Sequence, residues 1–214
     1  MADTKPSAFP AVTSAAATDQ FIDIPSGGTA SKITFANLRS SIGSGLSNAS
    51  TGTGSGYSTD TYLAGSAITI PTAGGWRVGT QYHCEFDMGK TAAGTGALTV
   101  TIRLGTLGTT GDAAINTLVF GAGTAAVDQG WFKVSCIFYA VGSGTSALTR
   151  GTIVGWHHLA ATGLFSTGAS GFGWVGNGSA GFNSTTQTII GVSVNGQGSF
   201  SGTNTHVAAW ATNI

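Results

Sequence analysis

Two alternating runs constrain this chain more than any other feature: Tyr82-His83-Cys84-Glu85-Phe86-Asp87-Met88 and Leu98-Thr99-Val100-Thr101-Ile102-Arg103-Leu104. Side chains alternate across a strand with a period of two, so each run commits one face to a core and the other to polar surroundings. In the first run Tyr82, Cys84, Phe86 and Met88 share the apolar face, opposite Gln81, His83, Glu85 and Asp87. In the second, Leu98, Val100, Ile102 and Leu104 stand opposite Thr99, Thr101 and Arg103. The join from Gly89 to Gly96 is too long for a two-residue turn and predicts a hairpin with a longer loop. In such a hairpin His83, Glu85, Asp87 and Arg103 gather on one outward surface. Mixed charges there could fix the register of a subunit contact; the competing reading is a solvated face that blocks stray sheet pairing.

The same pattern recurs downstream. Strands are expected over 66–70, 81–88, 97–104, 115–120, 131–139, 148–159, 187–195 and 206–212, separated by Gly-rich turns and without helical periodicity. That succession predicts an all-β fold, an antiparallel β-sandwich with a jelly roll of about eight strands as first choice. Upstream, residues 1–19 form a small, polar arm containing Pro6 and Pro10. A strand over 20–24 and a return over 32–35 follow. Thr34 can then cap a short helix carrying Phe35, Leu38 and Ile42 on one face, with Gly43 as its stop. A helix that short is marginal alone, so this unit is expected to dock on a partner. From Gly43 to Asp60 the chain is almost wholly Gly, Ser, Thr and Asn. The expected organisation is therefore an arm with its hairpin and helix over 1–43, a linker over 44–60 and the sandwich over 61–214.

Charge narrows the function classes. Only 7% of residues are charged and the net charge is zero, against roughly 25% charged residues in an ordinary soluble domain. With no basic patch, nucleic acid is not an expected partner. With no polybasic segment or long apolar span, neither is a membrane. A neutral surface also lacks the repulsion that keeps free proteins apart, which suits a chain held in a fixed assembly. The N-terminus has no secretory character. Cys84 and Cys136 fall on apolar faces and are expected as buried thiols in a chain made in the cytoplasm, with a disulfide as the alternative.

The search for chemistry is largely negative. There is no G-x-S-x-G elbow and no phosphate loop with its lysine. Asp87, Asp112 and Asp128 are scattered near strand ends, and Asp112 and Asp128 are expected to shape the turns before their strands. His157 and His158 are adjacent on an expected strand and so face opposite ways, which does not suit one ion. No catalytic residue, metal or cofactor is expected. The longest irregular stretch, 160–185, carries Phe165, Phe172, Trp174 and Phe182. These aromatics could stack on glycan rings, pack on a neighbouring subunit, or cover one end of the sandwich.

The run from Phe21 to Leu38, with Ile22, Ile24, Ile33 and Phe35, resembles the N-terminal attachment segments of tailed-bacteriophage fibre and decoration proteins. Three later stretches resemble β-sandwich domains of the same virion proteins: Thr101 to Thr106 with Thr110-Gly111-Asp112, Val127 to Phe132, and Thr188 to Asn195. The resemblance implies a homotrimeric, non-enzymatic virion protein without a cofactor, made in the host cytoplasm and mounted on the virion. On this expectation Phe21, Ile22, Ile24, Ile33, Phe35, Leu38 and Ile42 attach the arm to the major capsid protein or another virion protein. The sandwich then projects outward. The shortness of the chain favours a capsid decoration (cement) protein or head fibre; the alternative is a tail-fibre module that binds host surface glycans.

Overall fold

The structure, a computed structural model, describes residues 20–23, 31–34, 45–51, 55–70, 75–90, 95–120, 128–139, 144–157, 171–176, 182–201 and 206–214. The chain divides into two compact units, Met1–Ser44 and Gly45–Ile214. In the first, β1 (Gln20–Asp23) and β2 (Ser31–Thr34) pair antiparallel, with Phe21 opposite Ile33 and Ile22 opposite Lys32. The two expected strands are thus present. The helix expected after Thr34 lies outside the described residues, as do Ile24, Phe35, Leu38 and Ile42.

The second unit is all-β, with no helix among its described residues. Its first strands are β3 (Leu46–Thr51), β4 (Ser55–Gly56), β5 (Thr61–Tyr62), β6 (Ile68–Thr69), β7 (Gln81–Lys90), β8 (Thr99–Gly105) and β9 (Ala113–Val119). The remainder are β10 (Asp128–Tyr139), β11 (Leu148–His157), β12 (Gly171–Gly176), β13 (Ile189–Asn195), β14 (Phe200–Ser201) and β15 (His206–Thr212). They form two antiparallel sheets. The larger runs β12-β11-β10-β7; the other side of β7 is shared between β15, which continues to β3, and the short β14, which continues to β4. In the smaller sheet β5 and β6 both pair with β13, which is followed by β8 and β9.

Each of the eight strands expected from alternation is present. Their assignment to sheets overturns the expected hairpin, because β7 and β8 belong to different sheets. β7 pairs with β10 over ten positions, from Asp128 opposite Lys90 to Ile137 opposite Gln81, whereas β8 pairs with β13 and β9. Alternation fixes which face of a strand is buried but not which strand lies beside it. The expected linker over 44–60 is also corrected: Leu46–Thr51 is a strand, paired with β15 from Ala211 opposite Leu46 to His206 opposite Thr51. An edge strand held by backbone hydrogen bonds needs no strong hydrophobic pattern, and β3 has none, with Ser47, Asn48, Ala49 and Thr51 all exposed. Part of the expected irregular stretch over 160–185 is likewise strand β12, paired with β11.

Both sheets feed one core. β7 contributes Tyr82, Cys84, Phe86 and Met88, and β8 contributes Val100, Ile102 and Leu104, all at most 2% exposed. Ile190, Val192 and Val194 of β13 and Val207, Ala209 and Ala211 of β15 join them. Burying each of the larger side chains is worth about 1.5–3 kcal/mol. One close approach links the sheets: a Cβ on Gly151 of β11 would lie 2.2 Å from Nδ2 of Asn116 on β9. A second link is polar. The Tyr82 hydroxyl donates to the Ser66 carbonyl at 2.7 Å. The Ser66 hydroxyl in turn donates to the Leu63 carbonyl at 2.7 Å and accepts the Val192 N–H at 3.0 Å. Tyr82 belongs to the larger sheet and Val192 to the smaller, so one serine carries the connection between them.

Cys84 and Cys136 are free thiols buried in the core. Burial pushes each up to about 12 from its ordinary value, so neither ionises near neutrality. At pH 8 the native protein is expected to leave both thiols unreacted with Ellman's reagent, and both should react once denatured. A thiol that reacts in the native state would contradict the packing.

Candidate functional site

With so few charges, the places where ionisable groups meet are the natural places to look for chemistry. The structure separates the four charged residues that the expected hairpin would have gathered. His83, Glu85 and Asp87 share the outward face of β7 in the larger sheet, while Arg103 lies on β8 in the smaller one.

Arg103 is anchored at three points. Its Nε–H donates to the Ser193 hydroxyl at 2.8 Å and an Nη1–H to the Asp112 backbone carbonyl at 2.7 Å. Its remaining arm forms an ion pair with Asp60, with the arginine side chain only 13% exposed. Charge-assisted bonds of this kind are the strong ones, and a planar guanidinium suits several acceptors at once. Tyr62 stands opposite Ser193 and is shifted well above the ordinary phenol range, first by burial and then by the Asp112 charge. Nothing in this cluster leaves Arg103 free to meet a ligand.

Asp112 has the turn-shaping role expected of it. One carboxylate oxygen accepts the Thr106 and Leu107 N–H groups at 3.1 and 3.0 Å, and the other accepts the Gly108 N–H at 2.7 Å. The approach requires glycine at 105, where a Cβ would lie 2.0 Å from the carboxylate. The result is a turn held from beneath, with Leu107 63% exposed at its tip.

A second ionic group lies on the outward face of β7, β10 and β15. Lys133 Nζ is 3.0 Å from Glu85 Oε1, in register across the β7–β10 pair. Asp87 Oδ1 accepts the His206 backbone N–H at 2.8 Å. His83 stacks on Trp210, its cross-strand neighbour, with ring centroids 5.3 Å apart and planes 4° from parallel. Burial, then the nearby Lys133 charge, hold the imidazole below its ordinary pKa, with Glu85 pulling the other way. Its Nδ1 is buried without a hydrogen-bond partner, so a second proton would have no acceptor there.

The aromatics of 160–185 do not form one exposed set. Phe182 is 4% exposed, belongs to the core and exchanges backbone hydrogen bonds with Ala147, so it is corrected from a contact residue to a packing residue. Phe172 and Trp174 lie on β12 opposite Gly155 and Ile153, and Phe165 lies outside the described residues. Sequence reasoning missed Asp60, Lys133 and Trp210. Lys133 and Trp210 could have been found as the polar-face members of their strands; Asp60 carried no signal, because its partner is 43 residues away. No group of three or more His, Cys, Asp or Glu among the described residues could hold a metal ion. No family model, curated protein or solved structure matches the chain.

Replacing Asp112 by Ala strands three backbone donors and should cost about 1–3 kcal/mol in urea unfolding, together with faster amide exchange at Thr106, Leu107 and Gly108. A depressed histidine gives the unfolded chain the greater proton uptake between its folded pKa and about 6.5. The His83 contribution is therefore full above that value and is lost as pH falls through the window. Thermal melts from pH 8 to 5 should show wild type losing more stability than His83→Phe, which keeps a stacked ring and does not titrate. Parallel pH profiles would remove His83 titration as the cause.

Proposed function

We propose that this chain is a non-enzymatic virion structural protein, a capsid decoration (cement) or head-fibre protein. The observation that carries this reading is the division into a small N-terminal unit, Met1–Ser44, and a large charge-poor β unit, Gly45–Ile214. The resemblance of the run from Phe21 to Leu38 to phage attachment segments gives the smaller unit its role. In this reading residues 1–43 anchor on the major capsid protein, and the larger unit projects outward as a homotrimer. The core shared by its two sheets supports a sandwich, and a jelly roll is the arrangement we favour. The use of Arg103, Asp60 and Asp112 as internal fasteners supports a structural rather than a catalytic use of charge.

The test is a deletion of residues 1–43 presented to purified capsids. The truncated chain should keep its β circular-dichroism spectrum and cooperative melt while losing co-sedimentation with particles that bind the full chain. Undiminished co-sedimentation would overturn the assignment.

A further inference from the structure

The outward face around Trp210 has a composition that internal packing does not require. Trp210 is partly exposed on β15, in line with Ala208 and Thr212, while Val207, Ala209 and Ala211 turn into the core. One side of the indole is occupied by the parallel imidazole of His83. On the other side the neighbouring strand is β3, which places Ser47 opposite Trp210, Ala49 opposite Ala208 and Thr51 opposite His206. These three residues are small and exposed, and two of them carry hydroxyls. The indole is thus held in one plane on its His83 side, with a low, hydroxyl-bearing shelf on its β3 side.

The charged groups around the shelf are already engaged. Glu85 is paired with Lys133, and Asp87 accepts the His206 backbone N–H. The Glu85–Lys133 pair offsets itself and leaves little net charge to select an ionic ligand, so the aromatic plane and the hydroxyls dominate recognition. A fixed aromatic plane beside hydroxyls fits a ligand with a flat C–H face and a hydroxylated edge. Such a ligand packs its apolar face on the ring while its edge replaces water on the shelf.

We propose that Trp210, backed by His83 and bordered by Ser47 and Thr51, is a binding platform for a pyranose ring of a neutral polysaccharide. The platform lies within the Gly45–Ile214 unit and does not depend on where the chain is mounted. It also differs from the aromatic stretch 160–185 that the sequence first suggested for glycans.

The experiment is saturation-transfer NMR on the full chain with maltohexaose, cellohexaose and chitohexaose as probes. Wild type should transfer saturation to at least one of the three. Trp210→Ala should abolish the transfer, while Trp210→Phe, which keeps a smaller ring, should weaken affinity by about three- to tenfold. Because Trp210→Ala could disturb the sheet, Ser47→Leu provides a second arm: it changes an exposed edge residue and covers the open side of the indole. Loss of binding in Ser47→Leu with an unchanged melting temperature supports the platform. Absence of transfer to all three probes in wild type, or binding undiminished in Ser47→Leu, would overturn it. Neither result bears on capsid attachment, which the deletion of residues 1–43 reads separately.

Discussion

A tyrosine hydroxyl buried between two sheets must find an acceptor, because leaving it unpaired costs about 1–3 kcal/mol. In this protein Tyr82 meets that requirement through a residue that also binds the other sheet. Tyr82 of β7 reaches the Ser66 carbonyl, and the same serine receives the Val192 N–H of β13 through its hydroxyl. With Tyr82 turned inward, period-two geometry turns His83, Glu85 and Asp87 outward. Those three then meet Trp210, Lys133 and His206 at the register that β7 sets with its neighbours. The outer face of the larger sheet is therefore a consequence of how its inner face is satisfied.

Much of the fold was legible because alternation is local. Gln81–Lys90 and Thr99–Gly105 carry their buried faces in their own sequence, whereas β11 buries Thr149, Gly151, Ile153 and Gly155, a face that no apolar alternation marks. Partner choice was not legible. The Gly- and Thr-rich join after β7 suits a hairpin as well as a passage to another sheet, and only the competition among all strands decides between them. Strand β3 was invisible for a different reason: Ser, Asn, Ala and Thr at an edge bury little, so no hydrophobic pattern marks them. The candidate site suffered from both effects. His83, Glu85 and Asp87 were rightly placed on one face, but Arg103 went to the other sheet and Trp210 arrived from the far end of the chain.

The distribution of charge follows one rule across both sheets. Arg103 holds Asp60, Ser193 and the Asp112 carbonyl; Asp112 holds a turn; Asp87 holds the start of β15. A protein of ordinary composition would scatter such groups over its surface for solubility. Here Arg103, Asp112 and Asp87 each hold backbone groups in place, Arg103 also pairing with Asp60, while Glu85 and Lys133 pair with each other across β7 and β10. That use of charge suits a protein whose outer faces meet neighbours or neutral polymers.

The position of β15 has a consequence for how the chain comes into being. It fills the gap between β3 and the first part of β7, pairing with both. β3 and β7 emerge early during synthesis, yet the strand that joins them is made more than a hundred residues later. Until residues 206–212 leave the ribosome, one edge of β7 stays open and β3 has no sheet to join. The larger sheet therefore closes late, and until it does the open edge of β7 is a place where another strand could pair.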